Sequence, residues 1–428
     1  MKPITLLEHK WSRSLDSDKI DLLDRINNRQ RNKILEVGHN KIKARQYVGL
    51  IRIGNITIQI LPKLCKLDDT ESISEPPQEK INKIIQNLLF MLSYTRKLKI
   101  SETEISDIKK NRSDFFEILI YLFVKNLNDL IQNDLYKKYI IEAENLNYLR
   151  GKLLIHQDIR VNITSKHKFF CEFDEFTENN LLNQILKYTI ELLRGVSVQN
   201  NNQKLLTHLS FIFSDVSLNR INSSHFKKLH FDRLNEPYKP IVDLCQLFIE
   251  NSSVELRPGH FKTFTFVFDM NKLFEEFIFE FIRRNKDKIS SDILNVGHEC
   301  GYMFDVPEKF QLKPDIVLNM KNGKKIIIDA KYKMLDEEKI HGGISQSDMY
   351  QMFTYGSRRF GADELILLYP KSIEISENNR GFYRVNKLDK RDECKFRVHI
   401  RQIPIEIDLK LESGKKELIN ELSRIIAV

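Results

Sequence analysis

Between residues 312 and 333 the chain reads LKPDIVLNMKNGKKIIIDAKYK, two short apolar runs either side of Asn322-Gly323. The first, over 312–320, carries Ile316, Val317 and Leu318; the second, over 325–331, contains Ile326-Ile327-Ile328. An Asn-Gly step favours the positive φ that a type I′ turn needs at both central positions. An unbroken apolar run suits a strand covered on both faces. A second hairpin is predicted at 47–61, where alternating runs flank Gly54-Asn55. Apolar residues at helical spacing predict amphipathic helices over 81–98, 114–130, 181–194, 238–250, 272–284, 346–358 and 414–426, with a short one inside 16–33. Phe alternates with Thr over 261–268, and 364–369 and 396–407 also read as strands. Residues 139–160 read as strands around Leu149-Arg150-Gly151-Lys152, and Thr177 as the N-cap of the helix at 181. Residues 67–80, with Pro76-Pro77, form a linker or exposed loop, Arg257-Pro258-Gly259 a turn, and 199–203 a polar loop. The predicted organisation is a β-rich module over 1–75, a mainly helical region over 76–255, and a mixed sheet flanked by helices over 256–428: an α+β or α/β multidomain chain.

Composition narrows this picture only slightly. With 428 residues, 41% apolar and 30% charged, the chain is a globular one of two or three domains. A net charge of +9 favours a polyanionic partner, but a Lys-rich bias accounts for it equally well. Cys65, Cys171, Cys245, Cys300 and Cys394 are scattered, with no C-x-x-C pair, which argues against a zinc module and fits reduced thiols in a cytosol. No apolar run approaches the ~18 residues that span a bilayer, so the expected setting is the cytoplasm, with no membrane contact. No G-x-x-x-x-G-K-[ST], G-x-S-x-G or H-E-x-x-H is present.

Candidate chemistry concentrates on the first hairpin. Alternation puts Asp329 and Lys331 on one face and Ala330 on the other. If Asp315 falls beside Asp329, two carboxylates and an amine converge. Such a hard-oxygen pair suits Mg²⁺, with Lys331 orienting water or stabilising negative charge, and with small Ala330 leaving its carbonyl free to ligate. A charge-x-Lys triplet is common in so charged a chain: Glu8-His9-Lys10, Asp107-Ile108-Lys109, Glu393-Cys394-Lys395 and Asp408-Leu409-Lys410 match too. None of these follows a Pro-Asp across an Asn-Gly turn, and a carboxylate after three isoleucines is costly unless paired or metal-bound. Glu275 and Glu276 lie at adjacent helical angles, so one at most faces a site easily. Gln351 and Tyr355 share a helix face. Arg358-Arg359 at the helix end suits the dipole and could hold phosphate. The Arg150-Gly151-Lys152 step reads as a turn or bulge more readily than as a phosphate contact.

Pro314-Asp315 followed by Asp329-Ala330-Lys331 resembles the PD-(D/E)xK nuclease signature. Gln351-Met352-Phe353-Thr354-Tyr355 is similar to the Q-x-x-x-Y element of its RecB-like branch, and Met270–Glu275 to the helix that supplies a further acidic residue. With Asp348-Met349-Tyr350-Gln351 and the Ile-x-Ile-x-Pro-Lys run ending at Lys63, the set resembles the McrC family, nuclease subunits of McrBC modification-dependent restriction systems. The resemblance implies a restriction-endonuclease-like C-terminal fold and cleavage of modified, 5-methylcytosine-containing double-stranded DNA. It implies catalytic Asp315, Asp329, Lys331 and Glu275, and one or two Mg²⁺ ions on Asp315, Asp329 and the Ala330 carbonyl. Gln351, Tyr355 and Lys333 would support the site or meet DNA. It also implies an McrB-like AAA+ GTPase ring as partner, engaged by residues 1–255, with GTP bound by that partner and not by this chain, and allows a dimer within the assembly. Two alternatives stay open: a non-catalytic activator of such a GTPase with a decayed nuclease fold, and a stand-alone RecB-like repair nuclease.

Overall fold

The computed structural model describes residues 4–12, 20–21, 23–24, 27, 33–53, 56–63, 78–95, 115–132, 134–256, 262–305, 308–336, 338–356, 360–371, 382–384, 396–405, 409 and 411–427. Of the linker expected over 67–80, residues 67–77 lie outside them and 78–80 are helical instead; the turns at Gly54-Asn55 and Arg257-Pro258-Gly259, and Arg358-Arg359, also lie outside them. In chain order the elements begin with β1 (Ile4–Leu7), β2 (Leu35–Val37), β3 (Ile42–Ala44), β4 (Tyr47–Ile53), β5 (Ile56–Leu61), α1 (Gln78–Thr95) and α2 (Phe115–Leu130). Then come β6 (Lys138–Leu146), β7 (Lys152–Leu153), α3 (Ile155–Val161), β8 (Phe169–Thr177), α4 (Leu181–Arg194), α5 (Asn200–Ile212), α6 (Ser223–Lys228), α7 (Lys239–Asn251) and β9 (Ser252–Leu256). The last third has β10 (Lys262–Asp269), α8 (Met270–Ile289), β11 (Ile293–Gly297), β12 (Gly301–Asp305), β13 (Glu308–Leu312), β14 (Ile316–Met320), β15 (Lys325–Ala330), α9 (Gln346–Gly356), β16 (Glu364–Pro370), β17 (Phe382–Arg384), β18 (Arg397–Ile403) and α10 (Glu412–Ile426). No helix among the described residues is long and apolar enough to cross a membrane.

Three consecutive modules are not what forms. Residues 1–115 and 257–428 make one compact unit and residues 116–256 another. The reason is pairing across the sequence. β10 runs antiparallel to β4, Thr263 opposite Ile53 through Asp269 opposite Tyr47, so the N-terminal strands share a sheet with the last third. At Gly49, held at φ +144°, a side chain would collide with the Phe266 carbonyl, so only glycine lets the two strands approach. Helix α1 joins the same unit by packing Phe90 and Tyr94 on Phe277 and Phe281 of α8, with Tyr94 5.7 Å from Phe277 and 5.2 Å from Phe281.

The second sheet of this unit has the order β11-β14-β15-β16-β18-β17. β14 and β15 form the predicted hairpin, Ile316 opposite Ile328, while β15, β16 and β18 run parallel. The first run is shorter than expected, because 308–312 instead pairs with 301–305 as a separate hairpin. The turn differs too. Only Gly323 takes positive φ, and its N–H closes a turn on the Met320 carbonyl at 3.0 Å. That is a longer loop ending in one left-handed glycine rather than a two-residue type I′ turn. Val317, Ile327, Leu365, Leu367 and Val398 form an apolar cluster closed by Met352 and Tyr355 of α9.

The other unit holds a β6-β8-β7 sheet with α4, α5 and α7. The polar stretch at 199–203 is mostly the first turn of α5 rather than a loop, because Asn202 enters the buried network of Glu117. Glu117 also accepts from the Ser197 hydroxyl and the Val198 N–H, both at 2.7 Å. Asn180, not Thr177, caps α4 by accepting the Asn183 N–H; Thr177 ends β8. Residues 155–161 are helical where strand was expected. Gly151, at φ +67°, lies against the Glu172 carbonyl, and Arg150 stacks on Phe173 and pairs with Glu175. That step is a tight turn with its charge already satisfied.

Candidate functional site

Strand β15 ends in Asp329-Ala330, and the chain runs on through Lys331. Asp329 is fully buried on the face of Ile327. Its Oδ2 lies 2.6 Å from Lys331 Nζ, and neither carboxylate oxygen has a hydrogen bond of regular geometry. Asp315, just before β14, accepts the Ala330 N–H at 3.0 Å, which ties the two carboxylates to the same turn of backbone. Burial, then the charges of Asp329 and Glu275, push the Asp315 carboxyl up to about 8. Burial raises Glu275 as well, against the pull of Lys331. Burial works to lower Lys331, but Asp329, Asp315 and Glu275 outweigh it and keep the ammonium charged. Three carboxyls and one amine therefore act on each other, as the sequence anticipated.

Asp269 starts α8 by accepting the Asn271 N–H at 2.9 Å, which orients the first turn and brings Glu275 to the site. Glu275 and Asp315 line a cleft of roughly 530 Å³ with Lys272, Glu276, His298 and Lys313. His298 stacks on Phe279, centroids 4.0 Å apart. Arg283, a candidate partner for Glu276, pairs with Glu280 instead. On α9, Gln351 donates to the Tyr355 hydroxyl at 2.6 Å, and that hydroxyl donates to the Lys313 carbonyl at 3.2 Å. The Q-x-x-x-Y pair thus holds the segment leading to Asp315. Burial, then Asp329, push the Tyr355 phenol up to about 12. Lys333 is held 2.8 Å from Asp348, a buried carboxylate that also accepts from Tyr369.

The residues fit a divalent cation. A buried carboxylate whose oxygens lack regular hydrogen bonds, beside a second carboxyl whose ionisation the site opposes, is a donor set that a hard cation would stabilise. No three His, Cys, Asp or Glu side chains among the described residues come together as a ready cage, so the set is two carboxylates with backbone or water oxygens.

Residues 42–370 match the model of a family described as McrBC 5-methylcytosine restriction system component. The chain belongs to that family. It is 22% identical over 329 residues to the type IV methyl-directed restriction enzyme EcoKMcrBC of Escherichia coli strain K12, covering 71% of this chain and 90% of that one. Its structure resembles a half-complex from the tetradecameric assembly of Thermococcus gammatolerans McrB AAA+ hexamers with bound McrC. The TM-score is 0.66 and the identity 26%, over 99% of this chain and 100% of that chain. A cryo-EM structure of the T. gammatolerans McrBC complex is similar at TM-score 0.50 and 28% identity, over 67% and 88% of the two chains. As an McrBC component the chain carries features that sequence reading passed over. Lys313 gave no signal because its carbonyl is what matters; Asp348 stands in the Asp348–Gln351 match, but its pairing with Lys333 and Tyr369 shows only in space. Tyr332 is buried between two lysines, a contact that its place in the sequence does not announce.

Proposed function

We propose that the chain is the Mg²⁺-dependent endonuclease subunit of an McrBC-like restriction system, cutting modified double-stranded DNA together with an McrB-like AAA+ GTPase that it stimulates. What carries this reading is Asp329: a fully buried carboxylate, without regular hydrogen bonds, 2.6 Å from Lys331 and tied through Ala330 to Asp315. The ion pair with Lys331 meets Oδ2 and leaves the buried Oδ1 without a hydrogen bond, and an unmet buried acceptor costs about 1–3 kcal/mol that a cation would offset.

Asp315, Asp329 and the Ala330 carbonyl would hold the metal, with Glu275 facing the same space. The cation, when bound, lowers the pKa of an attacking water and offsets charge on the scissile phosphate. Lys331 places a fixed positive charge where the phosphate gains negative charge as the P–O bond breaks. Lys272 and Lys313 in the cleft supply sequence-independent attraction for the DNA backbone. Gln351 and Tyr355 keep Asp315 in register with Asp329, and Asp348 holds Lys333 at the rim.

GTP is bound by the partner in this reading. In the other unit Tyr139, Ile141 and Phe176 stand exposed on paired strands, an apolar surface of the kind that partners cover. We assign it to the AAA+ ring. The test is cleavage of methylated and unmethylated plasmid with Mg²⁺, with and without the partner and GTP. Cutting of modified DNA only by the complete mixture is the expected result. No cutting, with GTP hydrolysis still accelerated, makes the chain an activator alone.

A further inference from the structure

Lys63 closes the Ile-x-Ile-x-Pro-Lys run, and the nuclease reading leaves it without a task. The structure brings it to the end of β15. β1 pairs in parallel with β5, so Glu8 and Lys63 leave the sheet side by side. The Glu8 N–H donates to the Leu61 carbonyl at 3.0 Å, and the Lys63 N–H to Glu8 Oε2 at 3.4 Å. Glu8 is 1% exposed, although its triplet looked like ordinary surface charge. Next to it His9 is held at φ +61°, a conformation that costs a non-glycine residue energy, by donation of its N–H to Ala44. Burial pushes the Glu8 carboxyl up to about 7, with Lys63 and the Tyr332 hydroxyl pulling the other way.

The Lys63 ammonium lies 5.0 Å from the centre of the Tyr332 ring. Tyr332, 3% exposed, also packs 5.7 Å from Phe274, the residue before Glu275. It stands between Lys331, which meets Asp329, and Lys333, which meets Asp348. β15 ends at Ala330, and the chain after it is held in part by the Lys331 N–H to Leu368 and a local turn at Lys333. Buried against Phe274 and under the Lys63 ammonium, the side chain at 332 anchors the segment presenting both lysines. A buried carboxyl beside an ammonium carries a desolvation cost that an apolar plug of this space would not.

We infer that Lys63 and Glu8 are positioning residues for the nuclease site: by clamping Tyr332 they hold Lys331 on Asp329 and Lys333 on Asp348, so that DNA cleavage depends on the N-terminal strands. The inference rests on the nuclease reading above, and the two fail differently. Full-length chain with its AAA+ partner, GTP, Mg²⁺ and methylated plasmid is compared for wild type, Lys63→Met, Lys63→Arg, Tyr332→Phe and Tyr332→Leu. Wild type that never cuts defeats the nuclease reading. With wild type cutting, Lys63→Met is expected to lower kcat by about tenfold or more, the scale of a desolvated cation–π contact, with KM for DNA and GTPase stimulation unchanged. Lys63→Arg keeps a cation over the ring and stays within about threefold. Tyr332→Leu loses as much as Lys63→Met, and the double variant no more than either, because both remove one contact. Equal kcat for Lys63→Met and wild type, or additive losses in the double variant, overturns the clamp. Should Lys63→Met fail to fold, Tyr332→Leu against Tyr332→Phe decides: full kcat in the former overturns it, and loss in the former alone supports it.

Discussion

In the sheet that carries Asp329, β15 is buried almost along its whole length, and a carboxylate lies among isoleucines. In the β6-β8-β7 sheet of the other unit, Tyr139 is 66% exposed, Ile141 72% and Phe176 54%, with the Tyr139 and Phe176 rings 4.8 Å apart. One sheet buries charge and the other exposes apolar surface. Each departure costs stability, so each marks a place where another molecule is expected to restore the balance: a cation in the first, a protein surface in the second. Departures of opposite sign thus distinguish the proposed chemical unit from the proposed docking unit.

Asp329→Ala tests the comparison hardest. Plasmid cleavage should fall about a thousandfold, the scale of losing a charge-stabilising group, while stimulation of the partner's GTPase is retained. Retained metal-dependent cutting would remove Asp329 from the chemistry. At the other sheet, Ile141→Asp should weaken partner binding about ten- to a hundredfold, the worth of burying one aliphatic side chain, and leave Mg²⁺ binding to the isolated chain unchanged. Calorimetry of both events in that variant separates the two surfaces, and loss of both would collapse the distinction.

The acid equilibria sharpen the first half. Burial, Asp329 and Glu275 push the Asp315 carboxyl up to about 8, so a Mg²⁺ ion binding there would displace its proton. Apparent Mg²⁺ affinity should therefore rise with pH towards 8 by up to about tenfold per unit, one proton being released per ion, and Asp315→Asn should flatten that slope. Without metal the sign reverses for stability. The folded pKa lies above the unfolded one, so the folded state holds more protons between about 4 and 8. Stability then falls as pH rises through that window, and metal-free Asp315→Asn should melt above wild type at pH 8. The smallest effect is expected for Tyr355→Phe, which removes the hydrogen bond to Lys313. A loss of about 1 kcal/mol in thermal unfolding, with a several-fold fall in cleavage, fits its role; an unchanged rate would make the Q-x-x-x-Y pair mere packing.

Local pattern made much of this legible. The isoleucine run predicted β15, the Asn-Gly step the hairpin, and alternation the shared face of Asp329 and Lys331, because these depend on neighbours a few residues apart. Several departures from the local pattern trace to distant partners. Residues 199–203 are polar, yet Glu117 draws Asn202 into a buried network. The strand expected over 312–320 starts only at Ile316, because Leu312 ends a strand that pairs with 301–305. Lys63, some 270 residues before Tyr332 in the sequence, and Glu8, some 320 before it, carry no local sign of their meeting.

Sequence alone determined which residue types form the site and which strands and helices carry them, since periodicity and turn chemistry act over short range. Tertiary structure alone decided that the N-terminal strands and the last third form one unit, that Asp329 is wholly buried while Asp315 lines the cleft, and that Lys63 reaches Tyr332. Pairing between distant strands and the burial it imposes depend on which surfaces meet in space, and a linear pattern leaves that choice open.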